Sequence, residues 1–173
     1  MSSVSSQWPD TADIRFDSLP DSLAAFQALP QAGMASPFDT AALTVLAFCI
    51  YPKNKELALS ALDFLRGPRP LSPLDKQFIA DRFMDGKDYV PRSYFTGSTP
   101  QNNYTPSEPW TLHISAGPYA WQQEGYCKLD LRSSGADSPR QVLLRLAKDG
   151  KWYLWEQYLL AGIRVPESED PWA

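Results

Sequence analysis

The sequence predicts an α+β domain in which N-terminal helices pack on a C-terminal antiparallel β-meander of three to four strands. Two observations support this prediction. The first half contains apolar segments that begin at capping residues and end at proline or glycine, as helices do. The segment RQVLLRLAKDGKWYLWEQY, residues 140–158, alternates apolar and polar residues around an Asp-Gly step, which is a strong hairpin signal.

The composition is that of one globular domain. The chain has 173 residues, of which 43% are hydrophobic and 21% are charged, enough to bury a core without disulfide or metal support. A net charge of -4 argues against nucleic acid as a partner. Cys49 and Cys127 lie far apart and match no disulfide framework or metal-ligand spacing, so we expect two reduced, buried thiols and no cofactor.

Three regions are predicted along the chain. Residues 1–13 are Ser-rich and polar and are expected to form a flexible lead-in, followed by a single α+β domain over 14–166 and an acidic tail over 167–173. The stretch MSSVSSQWPD lacks the basic and apolar regions of a secretory signal, and no apolar run approaches the ~20 residues that span a bilayer. We therefore expect a cytoplasmic protein without membrane contact.

The first two helices are predicted from their start and stop residues. A short helix begins near Ser18 or Asp21 and ends at Pro30. The next begins at Ser36-Pro37, where a hydroxyl can cap the first turn, and residues 41–51 are then apolar almost all round. A helix of that kind must be surrounded by protein, so this one is the predicted central core helix.

Two further helices follow. Asn54 can cap a third helix that ends at Gly67, with an apolar stripe on one side. Ser72-Pro73 repeats the earlier start chemistry for a fourth helix that ends at Gly86. The large apolar residues of this fourth helix are expected on roughly one side: Leu74, Phe78, Ile79 and Phe83.

The predicted meander begins at residues 110–115, where alternation sends His113 to the face away from the core. A second strand covers residues 125–131, and the hairpin supplies the last two strands. Its second arm carries large apolar groups on both faces, with Trp152 and Leu154 on one side and Tyr153 and Trp155 on the other. We therefore expect helices to cover at least one face of the sheet.

The strings PRSYFTGSTPQNNYTPSEP and RSSGADSPRQVLLRLAKDGKWYLWEQYLLAGIRVP resemble a family of uncharacterised bacterial proteins, and the likeness extends from about Ala28 to Pro166. This resemblance implies a bacterial origin and carries no activity to any residue. The order of helices before a sheet that ends in a Trp-rich strand also resembles the nuclear-transport-factor-like cone fold, at the level of element order alone.

The long loop over residues 96–109 is the main candidate binding region. Tyr94, Phe95 and Tyr104 offer rigid aromatic area, and Asn102 and Asn103 can donate and accept hydrogen bonds, a mixture typical of recognition surfaces. The alternative is that the aromatic side chains anchor a covering loop while the amides bond to the backbone.

Three further candidate binding residues lie elsewhere. Arg132 precedes Ser133-Ser134-Gly135, a combination that suits an anion and equally suits a polar hairpin loop. Trp155 marks an interface if its sheet face is uncovered and a core residue if it is covered. His113 would line a pocket between the sheet and the helices if the sheet enclosed one.

Catalytic and metal sites have weaker support. A hydrolase triad would need Cys127 or Cys49 as nucleophile, His113 as base, and Asp130 or Asp137 to orient it. Both thiols are predicted to be buried and inert, and His113 points to the other face. Oxygen ligands for a cation are conceivable in one acidic cluster, although a solvated helix end explains it better: Asp81, Asp85 and Asp88.

Three functional hypotheses follow. The first is a non-enzymatic interaction or ligand-binding module whose partner is a protein or a small molecule. The second is an enzyme or small-molecule-binding protein with a pocket between the sheet and the helices. The third is a structural subunit that oligomerises through the sheet. An enclosed cavity would favour the second hypothesis, and a flat exposed patch would favour the first or the third.

Overall fold

The computed structural model describes residues 8–172 and shows an α+β fold built on one five-stranded antiparallel sheet. The α+β class is confirmed. The predicted number of three to four strands is wrong, because a strand from the N-terminal segment joins the meander. The strands follow one another in space as they do in the chain: β1 (Thr11–Phe16), β2 (Trp110–Ser115), β3 (Tyr126–Leu131), β4 (Arg140–Leu146) and β5 (Trp152–Gln157).

The additional strand, β1, pairs antiparallel with β2, so that Asp13 lies opposite His113 and Ile14 opposite Leu112. Its polar residues are exposed and Phe16 is buried, which is the alternation of a strand with one face on a core. The strand begins inside the segment 1–13 that was expected to be a lead-in; residues 1–7 lie outside the described residues. Its alternation is weak because Ala12 is the smallest of its inward residues.

The four predicted helices are present: α1 (Leu23–Gln27), α2 (Pro37–Ile50), α3 (Lys55–Arg66) and α4 (Pro73–Arg82). Each begins where a side-chain oxygen accepts a hydrogen bond from a backbone N–H of the first turn, which satisfies a donor that the helix itself cannot. The four capping residues are Ser22, Ser36, Asn54 and Ser72.

Helix α2 is the central core helix, as predicted. Every residue in it except Asp39 is buried, and it contacts all five strands. The buried hydroxyl of Thr40 donates a 2.6 Å hydrogen bond to the carbonyl oxygen of Trp152, which ties α2 to β5. The side chains between α2 and the sheet are essentially inaccessible to solvent: Leu112, Ile114, Cys127, Leu129, Val142, Leu144 and Leu154.

Helix α4 is only partly packed. Ile79 is buried, and Phe83, directly after the helix, is also buried and stacks on Tyr51 with ring centroids 4.4 Å apart. Leu74 is 80% exposed and Phe78 is 46% exposed, although the sequence placed all four apolar residues on one side. The packing therefore uses only the C-terminal end of this helix.

The outer edge of β5 is closed by other parts of the chain. The backbone N–H of Trp152 donates to the carbonyl oxygen of Met34, and the carbonyl of Trp152 accepts from Thr40. The guanidinium of Arg69 donates to the carbonyl oxygen of Trp155. These bonds occupy groups that would otherwise pair with a strand of another molecule. No helix within residues 8–172 has the length and apolar character needed to cross a bilayer.

Candidate functional site

The aromatic residues of the candidate loop are buried. Tyr94, Phe95 and Tyr104 are 4%, 2% and 0% exposed. The hydroxyl of Tyr104 donates to the carbonyl oxygen of Arg164 at 2.7 Å, and its ring stacks on Tyr89 with centroids 5.3 Å apart. Burial raises the pKa of Tyr104 to about 12. These rings hold the loop against the body of the protein and are not available to a ligand.

The amides of the same loop are used internally. Asn102 makes four hydrogen bonds: its side-chain oxygen accepts from the N–H groups of Thr99 and Thr105, and its amide nitrogen donates to the carbonyl oxygens of Gly97 and Thr105. Asn103 adopts a left-handed conformation, and its carbonyl oxygen accepts from Arg92. The hydrogen-bonding capacity of the Asn102 side chain is thus filled by the loop itself.

The loop after Arg132 packs on this covering loop. Ser133 is buried and donates to the hydroxyl of Ser93 at 2.7 Å, and the N–H of Ser134 donates to the carbonyl oxygen of Ser93. A Cβ on Gly135 would lie 2.2 Å from the Tyr104 hydroxyl, so only glycine permits this approach. The Arg132 side chain is exposed. The groups proposed to form an anion nest instead join two loops.

A cleft lies where these loops meet the C-terminal segment. It has a volume of about 540 Å³ and is lined by Pro100, Gln101, Ser134, Arg164, Val165, Glu167 and Asp170. The only cation in this lining, Arg164, pairs with Asp137. The sequence identified two of the three segments that form the cleft but treated residues 167–173 as a tail. The cleft can accept a small polar molecule, and its acidic side chains disfavour an anion.

The residues of the suggested triad are separated. Cys49 and Cys127 are buried, and desolvation raises the pKa of both thiols, that of Cys127 to about 12. His113 lies on the opposite face of the sheet from Cys127, where its Nδ1 is 2.6 Å from Oδ1 of Asp13. Among residues 8–172, His, Cys, Asp and Glu side chains form no group of three that could hold a metal ion. The acidic residues at 81–88 therefore do not form such a group either.

The face of the sheet opposite α2, here called the outer face, is open to solvent over much of its area. Asp13, Arg15, His113 and Arg145 are exposed on it, whereas the residues between them in each strand are turned inward. Helices therefore cover one face of the sheet and leave the other accessible. This is the arrangement in which Trp155 marks a surface instead of a core position.

Trp155 lies at the centre of a cluster of cations and rings on the outer face. The guanidinium carbon of Arg69 is 3.8 Å from the centroid of its ring, and that of Arg145 is 4.6 Å away. Arg145 also lies 5.3 Å from the ring of Tyr126, which meets Trp155 edge-to-face. With the neighbouring Lys128, these residues define what we call the arginine–tryptophan patch: Arg69, Tyr126, Lys128, Arg145 and Trp155.

The sheet register assembles most of this patch. Tyr126, Arg145 and Tyr153 lie opposite one another on β3, β4 and β5, and a β-bulge at Leu143/Leu144 shifts the register beside Trp155. Of the five residues of the arginine–tryptophan patch, only Trp155 was a candidate from sequence. Strand alternation puts Arg145 on the outward side of β4, which was the available signal for it.

Arg69 reaches the patch from the connection between α3 and α4. This connection starts at Gly67, which has φ of +60°, and a Cβ there would lie 2.3 Å from the ring of Tyr153. The absence of a side chain lets the connection lie directly on that ring and continue to Trp155. Arg69 is 86 residues from Trp155 in the chain, so no local pattern indicates their contact.

Comparison with known proteins gives a family and no function. A family model described as a domain of unknown function (DUF6935) matches residues 18–167. No curated protein matches the chain. No solved structure matches it either. Since the family model covers most of the sequence, the chain belongs to this family.

Proposed function

We propose that this member of the DUF6935 family is a non-enzymatic interaction domain that binds its partner through the arginine–tryptophan patch. The observation that supports the proposal most strongly is the open sheet face on which two guanidinium groups flank one indole ring. Tryptophan, tyrosine and arginine are the residues most enriched among the energetically dominant positions of protein interfaces. Mutual stacking also holds these side chains in place before a partner arrives, which lowers the entropy lost on binding.

The alternative of a pocket between the sheet and the helices has less support. Inward side chains of β2, β3 and β4 are essentially inaccessible and pack against α2, so the space where such a pocket would lie is filled. His113, the residue expected to line that pocket, points outward. A binding site on the outer face agrees better with this packing.

A permanent dimer formed through the whole outer face also has less support. The side of that face near β1 carries Asp13, Arg15 and His113, and the patch itself contains three cations. Obligate homodimer interfaces resemble a divided hydrophobic core, with few charges at the centre. The mixed polar and aromatic character here fits a partner that binds and dissociates.

The test compares two charge reversals on the same face. Tagged wild-type protein, R145E and R15E are expressed in the native organism and purified, and the captured proteins are quantified by mass spectrometry. Arg145 and Arg15 are both exposed, and three strand spacings of about 4.8 Å separate their strands. We expect at least one captured protein to be tenfold or more less abundant with R145E than with the wild type, and to be equally abundant with R15E.

Thermal unfolding of the three proteins is the control. Because both arginines are solvent-exposed, we expect the melting temperatures to match, and a match excludes a folding defect as the cause of lost binding. If R145E and R15E capture every protein equally well, the patch is not the binding surface and the proposal fails.

The cleft beside Ser134 supports a second candidate, a small-molecule-binding protein, because its volume of about 540 Å³ lies in the range of ligand pockets. A thermal-shift screen of polar metabolites tests it, since a ligand that binds only the native state raises the melting temperature. The second candidate requires a hit whose shift is abolished by a substitution at Gln101, a residue of the cleft that forms no described side-chain bond. A shift that Q101A leaves unchanged rejects it.

A further inference from the structure

We infer that the partner presents an extended acidic segment with carboxylates on alternate residues, which bind Arg145 and Lys128 together. This inference rests on the proposed function and adds the chemistry and spacing of what is recognised. It follows from three observations: the two cations have no acidic partner among the described residues, the sheet register sets the distance between them, and the charge around them is positive.

Arg145 and Lys128 have no acidic partner within residues 8–172. The salt bridges of that part of the chain involve other cations, and neither side chain donates a hydrogen bond there. The guanidinium carbon of Arg145 lies 4.6 Å from the ring centroid of Trp155 and 5.3 Å from that of Tyr126, and these contacts leave its N–H groups unused. A guanidinium held in this way can bind a carboxylate through two parallel hydrogen bonds.

Arg69 differs from these two cations. Its guanidinium donates to the carbonyl oxygen of Trp155 and lies 3.6 Å from the carboxylate of Glu156. It therefore supports the indole ring, while Arg145 and Lys128 remain to attract a partner. The charges of Arg69, Lys128, Arg145 and Glu156 sum to +2. Asp130, which shares the outward side of β3 with Lys128, reduces the local charge to +1 in a chain whose net charge is -4.

The sheet register sets the spacing between the two available cations. Lys128 lies opposite Leu143, and Arg145 lies opposite Tyr126, so Lys128 and Arg145 are diagonal neighbours on adjacent strands. Such positions are roughly 7–8 Å apart. In an extended peptide, side chains at positions i and i+2 point the same way and are separated by about 6.7 Å. An extended segment of the form acidic–any–acidic therefore matches the two cations.

The same features argue against a nucleic acid. Single-stranded nucleic acids bind by stacking bases on open aromatic rings along an extended basic groove. Here both guanidinium groups lie over the Trp155 ring, and the patch contains only three cations. An overall charge of -4 also repels a polyanion at longer range.

The experiment uses the full chain and two synthetic peptides, GETETETG and its neutral counterpart GQTQTQTG. Binding is followed by ¹H–¹⁵N NMR titration at low ionic strength. We expect the acidic peptide to shift the amide signals of β3 and β4 near Lys128 and Arg145, and the neutral peptide to bind at least tenfold more weakly. R145Q and K128Q should each weaken binding of the acidic peptide at least fivefold, and R15Q should leave it unchanged.

A third peptide of the same composition, GEETTETG, has no two carboxylates on alternate residues; it tests the spacing and should bind less tightly than the alternating one. Equal binding of the acidic and neutral peptides, or an equal effect of R15Q and R145Q, overturns the inference. Tighter binding of an oligothymidylate at the same signals replaces the acidic segment with a nucleic acid. If R145E still loses its cellular partner while the acidic peptide fails to bind, the interaction surface stands and only the acidic segment is rejected.

Discussion

At the scale of single residues, burial decides what the reactive groups can do. The two cysteines are the most nucleophilic side chains in the sequence, yet both are enclosed in the core by apolar neighbours. A thiolate loses its hydration there, and at Cys49 the attraction of Arg92 and Lys53 does not offset this loss, so the neutral thiol is strongly favoured. The interpretation of both residues as structural, made from their apolar surroundings in the sequence, agrees with this geometry.

We therefore expect neither thiol to react with a disulfide reagent in the native protein. With the pKa of Cys127 raised to about 12, only about one thiol in 10⁴ is ionised at pH 8. Reaction with Ellman's reagent, followed by absorbance, should occur only as fast as the protein unfolds, and should be complete in denaturant. Rapid modification of one thiol in the folded protein would contradict the burial of that cysteine.

The same shift has a consequence at alkaline pH. Because the folded-state pKa of Cys127 exceeds the unfolded value of 9.0, its stabilising contribution is fully present below pH 9.0 and is lost as the pH rises towards 12. The stability advantage of the wild type over C127A should therefore decrease above pH 9.0, as measured by urea unfolding.

Thr40 provides the sharpest test of a single contact. Its hydroxyl satisfies the buried carbonyl of Trp152, whereas the hydroxyl of Thr44 bonds only within its own helix. Both threonines are 0% exposed, so valine at either position keeps the volume and removes the hydroxyl. We expect T40V to destabilise the protein by about 1–3 kcal/mol and T44V by less, since only T40V leaves a carbonyl of another element unpaired. Equal losses in denaturant unfolding would show that the bond to β5 contributes nothing specific.

At the scale of elements, the helices were predictable from the capping residues at which they begin and the proline or glycine residues near which they end. Ser36, Asn54 and Ser72 each cap the helix that the sequence assigned to them. At Ser72 the bonds are reciprocal, since its hydroxyl accepts from the N–H of Asp75 and the Asp75 carboxylate accepts from the N–H of Ser72. These signals are local, which is why one sequence reveals them.

This capping box has a defined pH dependence. The backbone N–H of Ser72 holds the pKa of Asp75 below its usual value of 3.8, so the stabilising contribution is present above 3.8 and is lost as the pH falls below it. D75A should be less stable than the wild type at pH 7, by roughly 0.5 kcal/mol because the carboxylate is 41% exposed. The exposed Glu124 supplies the control E124A. The difference should be smaller at pH 2.5 than at pH 7, and a difference that persists undiminished at pH 2.5 would exclude this explanation.

Strand β1 shows where local signals are insufficient. Its six residues contain only two large apolar side chains, Ile14 and Phe16, and follow a polar, Ser-rich segment. Its pairing partner, β2, begins 94 residues after Phe16, at Trp110. Strand stability depends on such distant partners more than helix stability does, so the β1 sequence alone does not determine whether it joins a sheet.

At the scale of the whole molecule, the sequence predicted that helices pack on a sheet but did not predict the proposed binding surface. The α+β class and the buried position of α2 follow from apolar patterning, which reflects average burial. Whether the outer face is covered depends on where every other element packs. The contact between Arg69 and Trp155 depends on the same packing. The composition of residues 96–109 left two interpretations open for a related reason, because binding loops and covering loops contain the same residue types; the burial of Tyr104 agrees with a covering loop.

The central claim is that the partner contacts the arginine–tryptophan patch, and photochemical cross-linking in cells tests it most directly. Benzoylphenylalanine replaces Tyr126 in the patch and, in a separate variant, Val165, which is 45% exposed and lines the rival cleft. We expect irradiation to give a discrete protein adduct from position 126 and none from position 165. An adduct from position 165 alone would place the partner at the cleft and contradict the account.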